Sequence, residues 1–116
     1  MSPICASSPL RALALANLRN VALGPDIVEY LERIDATLAP FGGRFLVHGG
    51  AVVPLEGQWP GTLVVIGFPD RASAEAWYAS PAYRAILPLR LGNCEGEAII
   101  VETVPDDHRA PDVLAA

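Results

Sequence analysis

The seven residues TLVVIGF, 62–68, are apolar whichever side of a strand they are viewed from. Side chains alternate across a strand, so Leu63 and Val65 share one face while Val64, Ile66 and Phe68 share the other. Such a strand needs cover on both sides, because each large apolar side chain left in water forgoes roughly 1.5–3 kcal/mol. Whatever fold the chain adopts, this segment belongs inside a sheet with material above and below it.

The rest of the chain supplies the neighbours. LALANL, 13–18, is short, apolar and reads as a strand. Ile27, Leu31, Ile34 and Leu38 then recur at spacings of four, three and four, which places them on one helical stripe. Pro25 suits the first helical turn, and Asp26 and Glu29 sit at its positive end. Pro40, Gly42 and Gly43 stop that helix. RFLVHGGAVVPLEG, 44–57, carries a strand pattern interrupted at Gly49 and Gly50, as at a bulge or bend. After 62–68, PDRASAEAWYASPAYRAILPLRLG predicts a helix in two pieces: Asp70 caps the first, Ser80 and Pro81 restart the second, and Pro88 kinks or ends it. EAIIVETV, 97–104, is a last strand.

The order strand, helix, strand, strand, helix, strand is that of an α+β ferredoxin-like fold, βαββαβ, with a four-stranded antiparallel sheet and two helices on one face. Two helices cover only one side of the central strand. The remaining cover is expected from a second copy, giving a homodimer whose sheets face each other in an α+β barrel with a cavity between them. Residues 10–104 form this single domain, residues 1–9 a loose arm and residues 105–116 a frayed tail too polar to cover the sheet.

Composition excludes several functions. A net charge of −5 argues against nucleic acid, which needs a basic excess. All eight basic residues are arginines, so lysine Schiff-base chemistry and a phosphate-loop lysine are ruled out. The glycines of FGGRFLVHGG, 41–50, end a helix and enter a strand, the reverse of the order a phosphate-binding loop needs. Arg11 interrupts the N-terminal apolar run, so neither a signal peptide nor a membrane helix is expected. Cys5 and Cys94 suggest no disulfide framework, which fits a cytoplasmic protein, and Glu95 beside Cys94 disfavours a thiolate. His108 in the tail and His48 lack partners at metal-ligand spacing, so neither a metal nor another cofactor is expected.

YLERIDATLAPFGGRFLVHGG, LEGQWPGTLVVIGFPD, AWYASPAYRAILPLR and EGEAIIVETV together resemble the domain-of-unknown-function family 1330, over roughly residues 10–104. The resemblance implies the dimeric α/β-barrel fold, whose superfamily includes cofactor-free monooxygenases, isomerases and haem enzymes. The sequence departs from the family at His48, often arginine, and at Gly67, often acidic, which weakens any charge pair between those positions.

Six residues are candidates for a ligand site. His48 is the one weak catalytic candidate, as a general base or hydrogen-bond donor, and otherwise a solvated strand residue. Alternation puts it on the face of Arg44, the second ligand-binding candidate, and of Leu46, opposite Phe45 and Val47. Trp59, in EGQWPG with Glu56, either lids the barrel mouth or packs on the partner. Tyr78, Tyr83 and Arg90 fit a pocket rim that holds a carboxylate or enolate, the alternative being core packing for the aromatic residues. Arg90 lies between Leu89 and Leu91 and needs an acceptor. Three functions stay open: binding of a small apolar or carboxylated metabolite, a cofactor-free oxygenase or isomerase, and an association-only domain.

Overall fold

A computed structural model describes residues 9–115, so Cys5 and nearly all of the expected N-terminal arm lie outside it. The elements follow the expected order: β1 (Ala12–Arg19), α1 (Pro25–Leu38), β2 (Arg44–His48), β3 (Thr62–Phe68), α2 (Arg71–Ala79), α3 (Pro81–Leu91) and β4 (Glu95–Glu102). The four strands form one antiparallel sheet in the order β2-β3-β1-β4, which is the ferredoxin-like arrangement. The doubly apolar β3 is an interior strand, between β2 and β1.

Register decides which residues meet the helices. Ala12, Ala14 and Ala16 of β1 stand opposite Phe68, Ile66 and Val64 of β3, and Ile66 and Phe68 join the core with Trp77 and Tyr83. Leu13 and Leu15 therefore point to the outer face, with Val65 of β3 and Ile99 and Val101 of β4. β1 thus gives Ala12, Ala14 and Ala16 to the helices and Leu13 and Leu15 to the open side.

Local chemistry sets the helix boundaries. Asp70 accepts from the Ser73 backbone N–H at 2.7 Å, which also holds its carboxylate below the usual range. The Ser80 hydroxyl accepts from the Tyr83 N–H at 3.3 Å and donates to the Trp77 carbonyl at 2.7 Å, joining α2 to α3. Thr37 bridges α1 to α2: its hydroxyl donates to the Ile34 carbonyl at 2.6 Å and accepts from the Trp77 indole N–H at 2.9 Å. Gly42 ends the short helical turn after α1 at φ 70°, and a side chain on Gly43 would collide with Phe68 and Leu38.

The structure corrects five expectations. The buried stripe of α1 is Ile27, Tyr30, Ile34, Thr37 and Leu38, while Leu31 is exposed. Pro88 does not end α3, which runs on to Leu91. Pro88 and Arg84 are both exposed, so the Arg84 carbonyl that Pro88 cannot bond lies on the solvated side. β2 stops at His48, and residues 49–61 form a loop rather than a continued strand. Beyond β4, the segment expected to fray holds a 3-10 helix, Ala110–Ala115, with no buried residue. The fifth correction concerns His48. A register shift between Phe45 and Val47 pairs Phe45 with Ile66, Val47 with Val65 and His48 with Val64. One extra residue in β2 thus turns His48 onto the helix side with Phe45, away from Arg44.

Candidate functional site

The alternation of β1 leaves a hollow. Where Ala14, Ala16 and Ala98 face the helices, α1 and α3 do not fill the space above the sheet, and a cavity of about 360 Å³ remains. Its walls come from the sheet, from Ile27, Tyr30, Leu31 and Ile34 of α1, from Trp77 and Tyr78 of α2, and from Tyr83 and Arg90 of α3. The lining is overwhelmingly apolar and aromatic, with a few polar groups, as is usual for a small-molecule site of this size. This cavity lies within one chain, between sheet and helices, on the opposite side of the sheet from the expected inter-sheet chamber.

Four of the six candidates meet there: His48, Tyr78, Tyr83 and Arg90. His48 stacks on Phe45, the rings parallel to within 11° and 4.2 Å apart, so the bulge supplies both a polar edge and an aromatic wall. Arg44 and Trp59 are not part of it. Arg44 is exposed on the outer face of the sheet, opposite Gly67, and Trp59 lies exposed in the 49–61 loop. His48 and Gly67 occupy opposite faces of the sheet, so no charge pair could have joined these positions directly.

Tyr30, not anticipated, completes the polar end. It sits three residues after Ile27 and four before Ile34, on the buried stripe, but reading that stripe through aliphatic residues alone passes it over. Its hydroxyl lies 2.7 Å from that of Tyr83, with the rings edge to face. The Arg90 guanidinium sits 6.0 Å from the centre of the Tyr30 ring. Burial first, then the neighbouring Tyr83 hydroxyl, push the Tyr30 pKa well above the usual tyrosine range. Burial works against the Arg90 cation, but the oxygens of Tyr83 and Tyr30 favour it and outweigh burial, so its pKa is raised. At neutral pH the cluster therefore presents the neutral Tyr30 hydroxyl beside the Arg90 cation. Tyr78 packs between Tyr83, at 5.5 Å, and the exposed Arg84, whose guanidinium lies 5.2 Å over its ring. Cys94, also in the wall, donates its thiol to the Arg90 carbonyl at 3.4 Å. No group of three or more metal-ligating side chains occurs among the described residues.

The architecture recurs in solved structures of low sequence similarity. The chain superposes with TM-score 0.60 and 17% identity on the methylated RPA0582 protein, over 90% of this chain and 89% of that one; another structure of RPA0582 identifies it as a protein of unknown function from Rhodopseudomonas palustris. A dimeric ferredoxin-like protein of unknown function from Jannaschia sp. gives TM-score 0.56 at 12% identity, covering 81% of this chain and 99% of that one. SnoaB, a cofactor-independent oxygenase from Streptomyces nogalater, gives 0.55 at 13% identity, covering 85% and 99%. No curated protein matches the sequence. Residues 11–104 match the DUF1330 domain of unknown function, and the protein belongs to that family.

Proposed function

We propose that the protein is a homodimer in which each chain binds a small, largely apolar metabolite in the cavity between its sheet and its helices. The observation that carries the binding reading is the hollow itself. The hollow of about 360 Å³ is bordered by alanines and partly open to solvent, so its apolar walls stay wet unless something occupies it. Pairing through the outer face of the sheet is supported by the residues there: Leu46 is 42% and Ile99 58% exposed, around a centre of Leu13, Leu15 and Val65. Polar groups, Arg44 and the Arg19–Glu97 ion pair at 2.7 Å, border this apolar patch. The dimeric Jannaschia neighbour supports the same reading.

The test is to fill the hollow. Ala16 stands opposite both Val64 and Ala98 at the cavity floor, so Ala16→Leu inserts bulk where the ligand would lie. The neutral fluorescent probe N-phenylnaphthylamine should bind the wild type saturably and the folded variant not at all. Equal saturable binding by both would remove the cavity from consideration, and no binding to either would favour an association-only domain.

A second reading is favoured by His48, the one imidazole in the cavity wall and a side chain suited to acid and base work. Under it the protein is a cofactor-free oxygenase or isomerase with His48 as acid and base; SnoaB, of similar fold, is a cofactor-independent oxygenase. Oxygen uptake with naphthol-type substrates, lost in His48→Ala but not in Arg44→Ala, would establish it.

A further inference from the structure

The polar end of the cavity has more hydrogen-bond donors than protein acceptors: the two tyrosine oxygens favour the Arg90 cation, but no carboxylate among the described residues pairs with it. A guanidinium carries five N–H donors and cannot accept. The ion pairs among the described residues use Arg11, Arg19, Arg33 and Arg71, and none uses Arg90. The Tyr30 ring, at 6.0 Å, is at the outer limit of a cation–π contact and satisfies none of the N–H groups. The two hydroxyls add to the surplus. Tyr30 and Tyr83 are 8% and 1% exposed and share one hydrogen bond, which uses one of their two protons. The other proton has no partner in the pair, and Arg90 cannot take it. Half-burying such a set is costly unless an acceptor arrives from outside the protein.

Size narrows the class further. An apolar cavity of about 150 Å³ holds one benzene ring, so about 360 Å³ corresponds to a body of two rings or equivalent bulk. Trp77, Tyr78 and Tyr83 form a packed aromatic cluster in its wall, with centroids 4.1 Å apart for Trp77 and Tyr83. Apart from His48, Thr62, the Tyr78 hydroxyl and the thiol of Cys94, the remaining wall is apolar, so charged recognition is concentrated at the Arg90 end.

We infer that Arg90, together with the Tyr30–Tyr83 hydroxyl pair, anchors a single anionic oxygen group of the ligand, a carboxylate, enolate or phenolate, on an aromatic body of about two rings. The inference rests on the ligand-binding reading of the same cavity and deepens it. A charge-assisted hydrogen bond to the guanidinium favours the anion over a neutral group of equal shape, by about tenfold or more.

Naphthoate and its neutral isostere naphthamide provide the test, by calorimetric titration at pH 7.5 and low salt. The wild type should bind naphthoate at least about tenfold more tightly than naphthamide. In Arg90→Met the naphthoate affinity should fall to that of naphthamide, with naphthamide unchanged. Arg90→Lys, which keeps the charge and loses the planar fork, should lie between, and together with the wild-type comparison it decides the matter if Arg90→Met does not fold. Equal affinity of the wild type for both probes overturns the anionic anchor and leaves the cavity reading standing, as does undiminished preference in Arg90→Met. If neither probe binds the wild type, both readings fall.

Discussion

Replacing Ile99 by glutamate separates the stability of the single chain from that of the pair. Ile99 lies on the outer face of the edge strand β4, opposite Leu15, and is 58% exposed in one chain. Fully burying an isoleucine gains about 1.5–3 kcal/mol, so covering the exposed share gains roughly 1–2 kcal/mol per protomer. A two-fold interface counts the contact twice, giving roughly 2–3 kcal/mol per dimer, and an unpaired carboxylate forced into that interface costs more still. At 1.4 kcal/mol per factor of ten, the dimer dissociation constant of Ile99→Glu should rise by about a hundredfold or more. The folded protomer should be nearly unaffected, since exposed substitutions usually change stability by about 0.5 kcal/mol or less. Val65→Glu would not discriminate, because Val65 is only 8% exposed in one chain and its loss would unfold the protomer as well. Sedimentation equilibrium gives the association constant and circular dichroism confirms the fold. A folded Ile99→Glu protein that dimerises as tightly as the wild type would show that the sheets do not face each other.

Two further outcomes follow from the buried polar contacts. Thr37→Val keeps the shape of the side chain but removes the acceptor for the Trp77 indole N–H, and should cost about 1–3 kcal/mol in urea unfolding; a loss below about 0.5 kcal/mol would mean that the Trp77–Thr37 bond does not hold α2 to α1. In the unfolded chain Tyr30 gives up its proton near pH 10, whereas burial and Tyr83 keep it protonated in the folded chain. The native state then holds more protons than the unfolded state above about pH 10, so stability should fall as pH rises past that point. Tyr30→Phe should flatten this alkaline decline, and an unchanged slope in thermal melts at pH 9 to 11 would place the hydroxyl in a wetter setting than the structure shows.

The element order was legible because hydrophobic period switches sharply between two and 3.6 along the chain, and because Asp70 and Ser80 cap helices by local rules that hold regardless of the fold. The double-faced β3 correctly announced a buried interior strand. What escaped notice depends on register and on the third dimension. The bulge in β2 leaves no distinct mark in RFLVH, yet it moves His48 to the other side of the sheet. LALANL read as uniformly apolar, although its alternation of alanine with leucine, combined with strand pairing, foretells which side is hollow. Arg90 stands out in the sequence by its apolar neighbours, but its proximity to Tyr30 arises from α1 packing on α3, a contact between residues 60 apart in sequence that no local pattern encodes. A kink or an end is expected at Pro88 because the rule that proline breaks helices takes no account of exposure on the side where the bond is lost.

The central claim is that two chains pair through their sheets and each retains one ligand-sized hollow on its helix side. Native mass spectrometry of the protein titrated with naphthoate tests both halves at once. The account predicts a two-chain species that takes up ligand to a limit of two molecules, with no further adducts. A single-chain species at all concentrations, or an adduct series that climbs without limit, would contradict it.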